Sequence, residues 1–317
     1  MKLSLLNKIV CPDCKSELAI RYSPRAVINN EVSEGELLCD KCHKIYLITN
    51  YVPRFVESDK YAGNFSFEWS IHTQTQLDSL SGLNESETMF YQKTGINLED
   101  LEGKLVLDVG CGAGRYIEIV NKYGGEVIGI DLSYAVDVAF NNLGLKDNIH
   151  IIQADIFNLP FKEETFDYIL SIGVLHHTPN TRQAFECLPR LLKHGGEIAI
   201  WVYSNEGFPM KIINLVSSLY RVITTRIPKQ MVYQFARLSA PLYYPKKNKF
   251  IKPILTLLLP TSTHPVKDWR ILDTFDWYSP KYQWKHTHKE VMRWFWSSGL
   301  SEVKRADIAV SVKGKKC

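Results

Sequence analysis

The sequence predicts an α/β protein: a doubly wound parallel sheet, preceded by a small cysteine-bearing module and interrupted by a helical insertion. Three observations predict it. Short apolar strands alternate with amphipathic helices from Lys104 to Tyr203, a glycine-rich turn joins the first strand to the first helix, and two Cys-x-x-Cys pairs stand apart near the N-terminus. With 317 residues the chain has room for about two domains. Its composition, 45% hydrophobic and 23% charged, excludes intrinsic disorder.

The elements follow in order. Cys11-Pro-Asp-Cys14 and Cys39-Asp-Lys-Cys42 bracket the first module, and Lys44-Ile-Tyr-Leu-Ile alternates as a strand should. The stretch 58–103 is polar and aromatic. Within it Asn84-x-x-Glu87 reads as a capping box, and Gly95 stands where a left-handed residue would end the helix. Leu105-Val-Leu is the first strand of the alternation and Arg115–Tyr123 its helix. Glu126–Ile130 and Ser133–Leu143 repeat the unit, with further strands at Ile149–Ile152, Phe166–Ser171 and Gly195–Tyr203. A helix over Thr181–Leu192 is expected from Ala184, Phe185, Leu188, Leu191 and Leu192 on one face. Prolines 209, 228, 241, 245, 253 and 260 then cut the insertion into several short helices. A last helix near His288–Ser298 precedes two strands, near Val303 and Ile308–Val312. The expected division is a module over 1–57, a sheet domain over 58–203 and 266–317, and a basic-apolar helical cap over 204–265.

Charge is uneven. Ten Lys or Arg and no Asp or Glu lie between Gly207 and Lys267, so this segment carries +10 against a chain total of +4 and leaves the remainder at −6. No apolar run approaches the ~20 residues needed to span a bilayer. The N-terminal residues lack the apolar stretch of a secretory signal. An odd number of cysteines, seven, with two Cys-x-x-Cys pairs, points to metal in a reducing compartment rather than to a disulfide framework. The expected location is cytoplasmic, with peripheral membrane contact through 207–267 as a further expectation.

Asp108-Val-Gly110-Cys-Gly112-Ala-Gly114 occupies the first strand-to-helix turn, where a ligand approaches the backbone. Glycine at such turns also has purely steric uses, so the acids beside the loop sharpen the reading. Asp131 ends the second strand and Asp155 ends the third, both at the crevice. Each acid has an alternative use, as a strand-end cap for the following helix. The spacing Gly-x-Gly-x-Gly differs from the dinucleotide loop, and Asp108 puts negative charge where a pyrophosphate would sit. That suits a ligand carrying an amino group and a sulfonium, S-adenosylmethionine.

Val106–Arg115, Ile128–Ser133, Gln153–Phe161, Phe166–Ser171 and Leu191–Gly196 together resemble the successive motifs of class I S-adenosylmethionine-dependent methyltransferases, in the group that includes the ubiquinone/menaquinone-type enzymes. The likeness is strong over about 85–205. It implies a Rossmann-like methyltransferase sheet whose cofactor site comprises Asp108, Gly110, Gly112 and Gly114 at the methionine part. Asp131 would bind the ribose and Asp155 the adenine amino group, with Leu132 and Ile156 flanking the ring. Ser171 and Gly173 would line the transfer site.

Cys11, Cys14, Cys39 and Cys42 have the type and spacing for a closed structural Zn²⁺ site. Leu37–Tyr46 and Val52-Pro-Arg-Phe55 resemble the zinc ribbon of the small activator protein of tRNA methyltransferases. His43 adjoins the set and is expected on the surface. Cys111 packs in the glycine loop, and Cys187 and Cys317 have no evident partner.

Methyl transfer from a sulfonium is an in-line displacement, in which the protein aligns the nucleophile and takes a proton from it where one must leave. Candidates for the base are His177 first, His176 second and Asp276 third. Tyr203, Asp273, Trp277, Tyr278, His286 and His288 are further polar groups that the pocket could use, each with an ordinary packing or surface role as its alternative. No Asn-Pro-Pro-Tyr, Asp-Pro-Pro-Tyr or Pro-Cys follows the fourth strand, which disfavours the corresponding base methylations. The expected activity is methylation of a small or amphipathic acceptor, including an anionic or lipid-linked one. The alternatives are an RNA methyltransferase using ribbon and cap as RNA contacts, and a cofactor-binding scaffold without turnover.

Overall fold

The computed structural model describes residues 1–28 and 31–317. Strands β1 (Leu18–Arg21), β2 (Val27–Ile28), β3 (Glu31–Val32), β4 (Gly35–Cys39), β5 (Ile45–Thr49) and β6 (Val52–Arg54) form the N-terminal ribbon. Helices α1 (Gly63–Ile71), α2 (Asp78–Ser81) and α3 (Glu85–Thr94) lead into the alternating core. There β7 (Leu105–Val109), α4 (Arg115–Lys122), β8 (Glu126–Asp131), α5 (Ala135–Leu143), β9 (Ile149–Gln153), β10 (Phe166–Ile172), α6 (Thr181–Glu186) and β11 (Leu192–Trp201) follow in turn. The insertion supplies α7 (Phe208–Thr224), α8 (Lys229–Ser239) and α9 (Ile251–Leu258). Then come α10 (Lys267–Tyr278), α11 (His288–Ser297), β12 (Leu300–Arg305) and β13 (Ser311–Lys316).

One sheet contains eleven of these strands, in the order β1-β4-β5-β6-β9-β8-β7-β10-β11-β13-β12. Its centre is parallel: β7 pairs with β8 and β10, and β8 with β9. Burial on both faces explains why Val106, Leu107, Ile128 and Ile152 read as continuous apolar runs. The two halves wind away from β7, which leaves a crevice at the carboxyl ends of β7, β8 and β10.

The ribbon continues that sheet. Arg54 of β6 pairs in parallel with Gln153 of β9, and the Phe55 amide donates to the Gln153 carbonyl at 2.8 Å. Arg54 also donates to the Gln153 side chain at 2.8 Å and pairs with Asp137 at 2.5 Å. Leu5, Ile9, Leu37 and Ile48 share one apolar core with Ile130, Ile152 and Leu159, so burying this surface stabilises ribbon and sheet together.

Two local expectations differ from what forms. The helix begun at Thr181 ends at Glu186, because Pro189 has no amide to continue it and Leu192 is taken into β11 opposite Phe166. Phe166 pairs with Leu192 but Tyr168 already pairs with Glu197, so Lys193–Gly196 bulge out of the ladder. The Asn84 side chain does not cap α3. Asp78 does so from α2, accepting from the amides of Ser86 and Glu87 at 3.0 Å each. Gly95, at φ +61°, ends the helix as expected.

The prolines break the insertion as anticipated: Pro209 sits in the first turn of α7 and Pro228 caps α8. Val232 and Ala236 of α8 pack on Ile271, Phe275 and Tyr278 of α10. This packing sets one face of α10 against the crevice.

Candidate active site

A cleft opens where the glycine loop, the ends of β8 and β10, the stretch Tyr61–Trp69 and helix α10 converge. Gly110 and Gly112 line it, at φ +81° and +53°. A Cβ on Gly110 would stand 2.3 Å from Val174, and one on Gly112 2.9 Å from the Trp69 indole, so no larger residue fits this turn. Gly114 lies outside the lining; it caps α4 and packs towards Leu143.

Asp131 closes the loop onto β8. Its carboxylate accepts from the Gly112 amide at 3.0 Å, and from the Ser133 amide and hydroxyl at 2.8 and 2.7 Å. Asp108 does not itself line the cleft: it lies beneath the loop, fully buried, and its Oδ2 has no hydrogen-bond partner. Burial, with Asp131 adding, raises its pKa to about 7. Leu132 and Ile156 form apolar walls with Ile130 and Ala154.

Asp155 does not line the cleft. It accepts from the Phe157 amide at 3.1 Å and pairs with Lys60 at 2.6 Å, the strand-end capping role that a lone Asp often takes. Ser171 is also turned away, donating to the Val109 carbonyl at 3.2 Å, whereas Gly173 lines the cleft.

The acceptor end gathers His177, Tyr203, Asp276, Asp273 and Glu68. His177 Nδ1 lies 2.9 Å from the Tyr282 carbonyl, and Nε2 is buried, unbonded and 3.7 Å from Asp276. Burial pulls the His177 pKa down, with Asp276 pulling it partly back. Tyr203 donates to the other oxygen of Asp276 at 2.6 Å. Glu68 is buried with one oxygen unpartnered, and its pKa is raised well above the carboxylate range by burial and then by Asp276 and Asp273. Asp273 is raised to about 6, chiefly by burial.

His176 is not in the lining. It is fully buried, its ring tilted against that of Tyr203 with the centroids 3.9 Å apart, and burial holds its pKa well below the usual value. Trp277 and Tyr278 do not line the cleft either. His286 bonds Thr181 and Glu290, and His288 bonds Glu206 and the Val310 amide, so both pin α11.

Several lining residues escaped the sequence reading: Tyr61, Phe65, Glu68 and Trp69 before and on α1, Lys93 on α3, and Arg115 opening α4. The aromatic density of 58–70 was the available signal for the first four. Lys93 is buried over the Trp201 ring at 3.7 Å without a carboxylate partner, and burial lowers its pKa to about 7. Arg115 donates to Ser86 at 3.0 Å and keeps a buried Nη2 unpaired.

These residues fit S-adenosylmethionine. The glycine cradle admits a ligand against the backbone, the unpartnered Asp108 oxygen suits an ammonium, and the unpaired donors of Lys93 and Arg115 suit a carboxylate. The acids of the lining suit a sulfonium charge, and the apolar walls suit an adenine ring.

In the ribbon, Cys11, Cys14, Cys39 and Cys42 place their sulfurs within 4.8 Å of one another. The closest pairs are Cys11–Cys42 at 3.5 Å and Cys14–Cys39 at 3.3 Å, and all four are free thiols. Sulfurs drawn from both knuckles into one cluster can hold a tetrahedral ion. His43 points outward.

The comparisons with known proteins agree with this geometry. A family model described as "Methyltransferase domain" matches residues 107–200, and one described as "Trm112p-like protein" matches residues 2–50. The tRNA (carboxymethyluridine(34)-5-O)-methyltransferase of Arabidopsis thaliana is 37% identical over 127 residues, 38% of this chain and 30% of the relative. The ubiquinone biosynthesis O-methyltransferase of Coxiella burnetii is 34% identical over 122 residues, 38% of this chain and 52% of the relative. A chain in the solved complex between the Haloferax volcanii Trm112 methyltransferase activator and a methyltransferase aligns over 79% of this chain and 96% of its own. It does so at 14% identity and a TM-score of 0.46, a likeness too loose to argue from. The chain spans from about a quarter to about half of the curated relatives it matches.

Proposed function

We propose that this chain, an S-adenosylmethionine-dependent methyltransferase with a Trm112-like ribbon built into its sheet, methylates an oxygen atom of an RNA nucleoside. The observation that carries the RNA reading is the ribbon: residues 2–50 match the Trm112p-like model, and β6 joins it to the edge of the methyltransferase sheet. The Arabidopsis relative, named for a tRNA uridine, supports it. Both relatives are named for transfer to oxygen, which supports that acceptor atom.

The chemistry supplied by the bound cofactor is a methyl group made electrophilic by its sulfonium. The chain's residues do the rest. Asp131 fixes the glycine loop and offers its carboxylate to ribose hydroxyls, and Asp108 receives the ammonium. Lys93 and Arg115 hold the carboxylate, while Leu132 and Ile156 exclude water from the adenine. His177 takes the proton from a hydroxyl acceptor at Nε2, and Asp276, steadied by Tyr203, stabilises the resulting imidazolium. The four ribbon cysteines hold one Zn²⁺.

A second reading has its own support. The outward face of the inserted helices is apolar and basic, and the Coxiella relative is named for ubiquinone biosynthesis, so an amphipathic or lipid-linked hydroxyl is the competing acceptor. The test incubates the protein with methyl-labelled cofactor and, separately, with host RNA and host lipid extract. Label in nuclease-sensitive material is the expected result. Label only in the organic phase overturns the RNA reading in favour of the second, and cofactor binding without label in either would leave a scaffold.

A further inference from the structure

Helices α7 and α9 wear their apolar sides outward. On α7 the fully or nearly buried residues are Asn214 and Ser217, both polar. Phe208, Leu215, Leu219, Val222 and Ile223 are each more than half exposed. Spacings of three and four place Phe208, Leu215, Leu219 and Val222 on one stripe, with Lys211 in the same register. Helix α9, nearly all apolar, buries none of its residues, and Phe250, Ile254 and Leu258 stand more than half exposed. The two helices lie side by side, tied by the Tyr220 hydroxyl donating to the Leu258 carbonyl at 2.9 Å. The two exposed stripes are thus carried by neighbouring helices of the cap. Apolar surface on this scale marks an interaction site.

The charges choose among occupants. Lys211, Arg226, Arg237, Lys247, Lys249, Lys252 and Lys267 are exposed, and among the described residues none has a carboxylate partner. Not every cation of the segment belongs to this surface. Lys246 is buried, donating to Thr261 Oγ1 at 2.6 Å and to the Leu259 carbonyl at 3.1 Å, and Arg221 is spent on the Trp277 and Pro280 carbonyls. A second copy would bring like charges together across a two-fold interface. A nucleic acid would match the charge but not the leucines and isoleucines, since single strands favour aromatic stacking and duplexes offer phosphate. Anionic lipid matches both, taking the aliphatic stripe into the acyl boundary and the lysines at the headgroups. No helix among the described residues is long and apolar enough to cross a membrane, so the contact lies in the interface plane.

We infer that the α7–α9 face docks this protein onto the surface of an anionic bilayer. The inference goes beyond the acceptor assignment and does not depend on it, because docking is read without turnover. The experiment co-sediments the full chain with phosphatidylcholine vesicles and with vesicles in which about a third of the lipid is phosphatidylglycerol. Expected is ~10-fold or greater preference for the anionic vesicles, reduced by salt. The double variant Leu219→Asp, Ile223→Asp should lose most of this binding, and Lys249→Gln with Lys252→Gln should lose the preference for anionic lipid. These side chains are exposed, so thermal melting and S-adenosylhomocysteine affinity should match the parent protein. Absence of vesicle binding by the parent, or binding unchanged in folded variants, overturns the proposal. So does a finding that the same substitutions abolish tRNA binding, or a dimer in solution, while vesicle binding persists.

Discussion

The Nδ1 of His177 lies 2.9 Å from the backbone carbonyl of Tyr282. A carbonyl only accepts, so Nδ1 carries the proton, and in the neutral ring Nε2 is left as the lone pair. The segment after α10 thus fixes the tautomer of a residue about a hundred positions earlier, and it does so at the edge of the cleft.

With a hydroxyl acceptor, His177→Ala should lower kcat by ~10²–10⁴-fold and leave cofactor affinity unchanged. An acceptor already ionised, such as a carboxylate, needs no base and would show little loss. Burial holds the His177 pKa below its usual value, and the neutral ring is the working form. The kcat profile should therefore stay flat through neutrality and fall only below the ordinary histidine range. Steady-state kinetics across pH checks both statements.

Cofactor binding should exchange protons with opposite signs on either side of neutrality. Lys93 and Asp108 are both held at about 7 by burial. A carboxylate beside Lys93 favours its ammonium form, so binding takes up a proton where the free lysine is neutral, above pH 7. An ammonium beside Asp108 favours the carboxylate, so binding releases a proton where the free acid is protonated, below pH 7. Titration calorimetry with S-adenosylhomocysteine in buffers of different ionisation heat should find uptake at alkaline pH and release at acid pH.

Asp131→Ala should weaken S-adenosylhomocysteine binding by roughly 1.5–3 kcal/mol, the scale of lost charged hydrogen bonds. The loss includes the loop, because Gly112 and Ser133 both donate to this carboxylate. Calorimetry of the purified variant gives the number, and unchanged affinity would remove Asp131 from the site.

Metal analysis should find about one zinc per chain, lost in Cys39→Ser. Because β6 is hydrogen-bonded to β9 and the cores are shared, the damage should not stay in the ribbon. The variant should melt lower as a whole, and amide exchange in β9 should rise with that in β4 and β5. An intact protein without metal would overturn the zinc assignment.

Local pattern was enough to read the parallel sheet, the glycine turn, the strand-end acids and the cysteine set from the chain. Each is a local requirement. A buried parallel strand must be apolar along its whole length, a close approach to backbone excludes a Cβ, and a metal knuckle needs two sulfurs two residues apart. Glycines 110 and 112, Asp131 and the four cysteines therefore stand where their spacing put them. Choices between neighbours and between alternatives were settled by packing. His176 and His177 are adjacent and chemically alike, yet one packs under Tyr203 and the other faces the cleft, because a short turn points consecutive side chains apart. Asp155 matched its motif but met Lys60, a partner 95 residues away. Lys93 and Glu68 belong to no motif, and the loop motif that ends at Arg115 gives that residue no role; their buried polar groups single them out, which is a property of packing. The ribbon's junction was equally out of reach, since a single backbone pairing between Arg54 and Gln153 depends on where two distant strand edges meet.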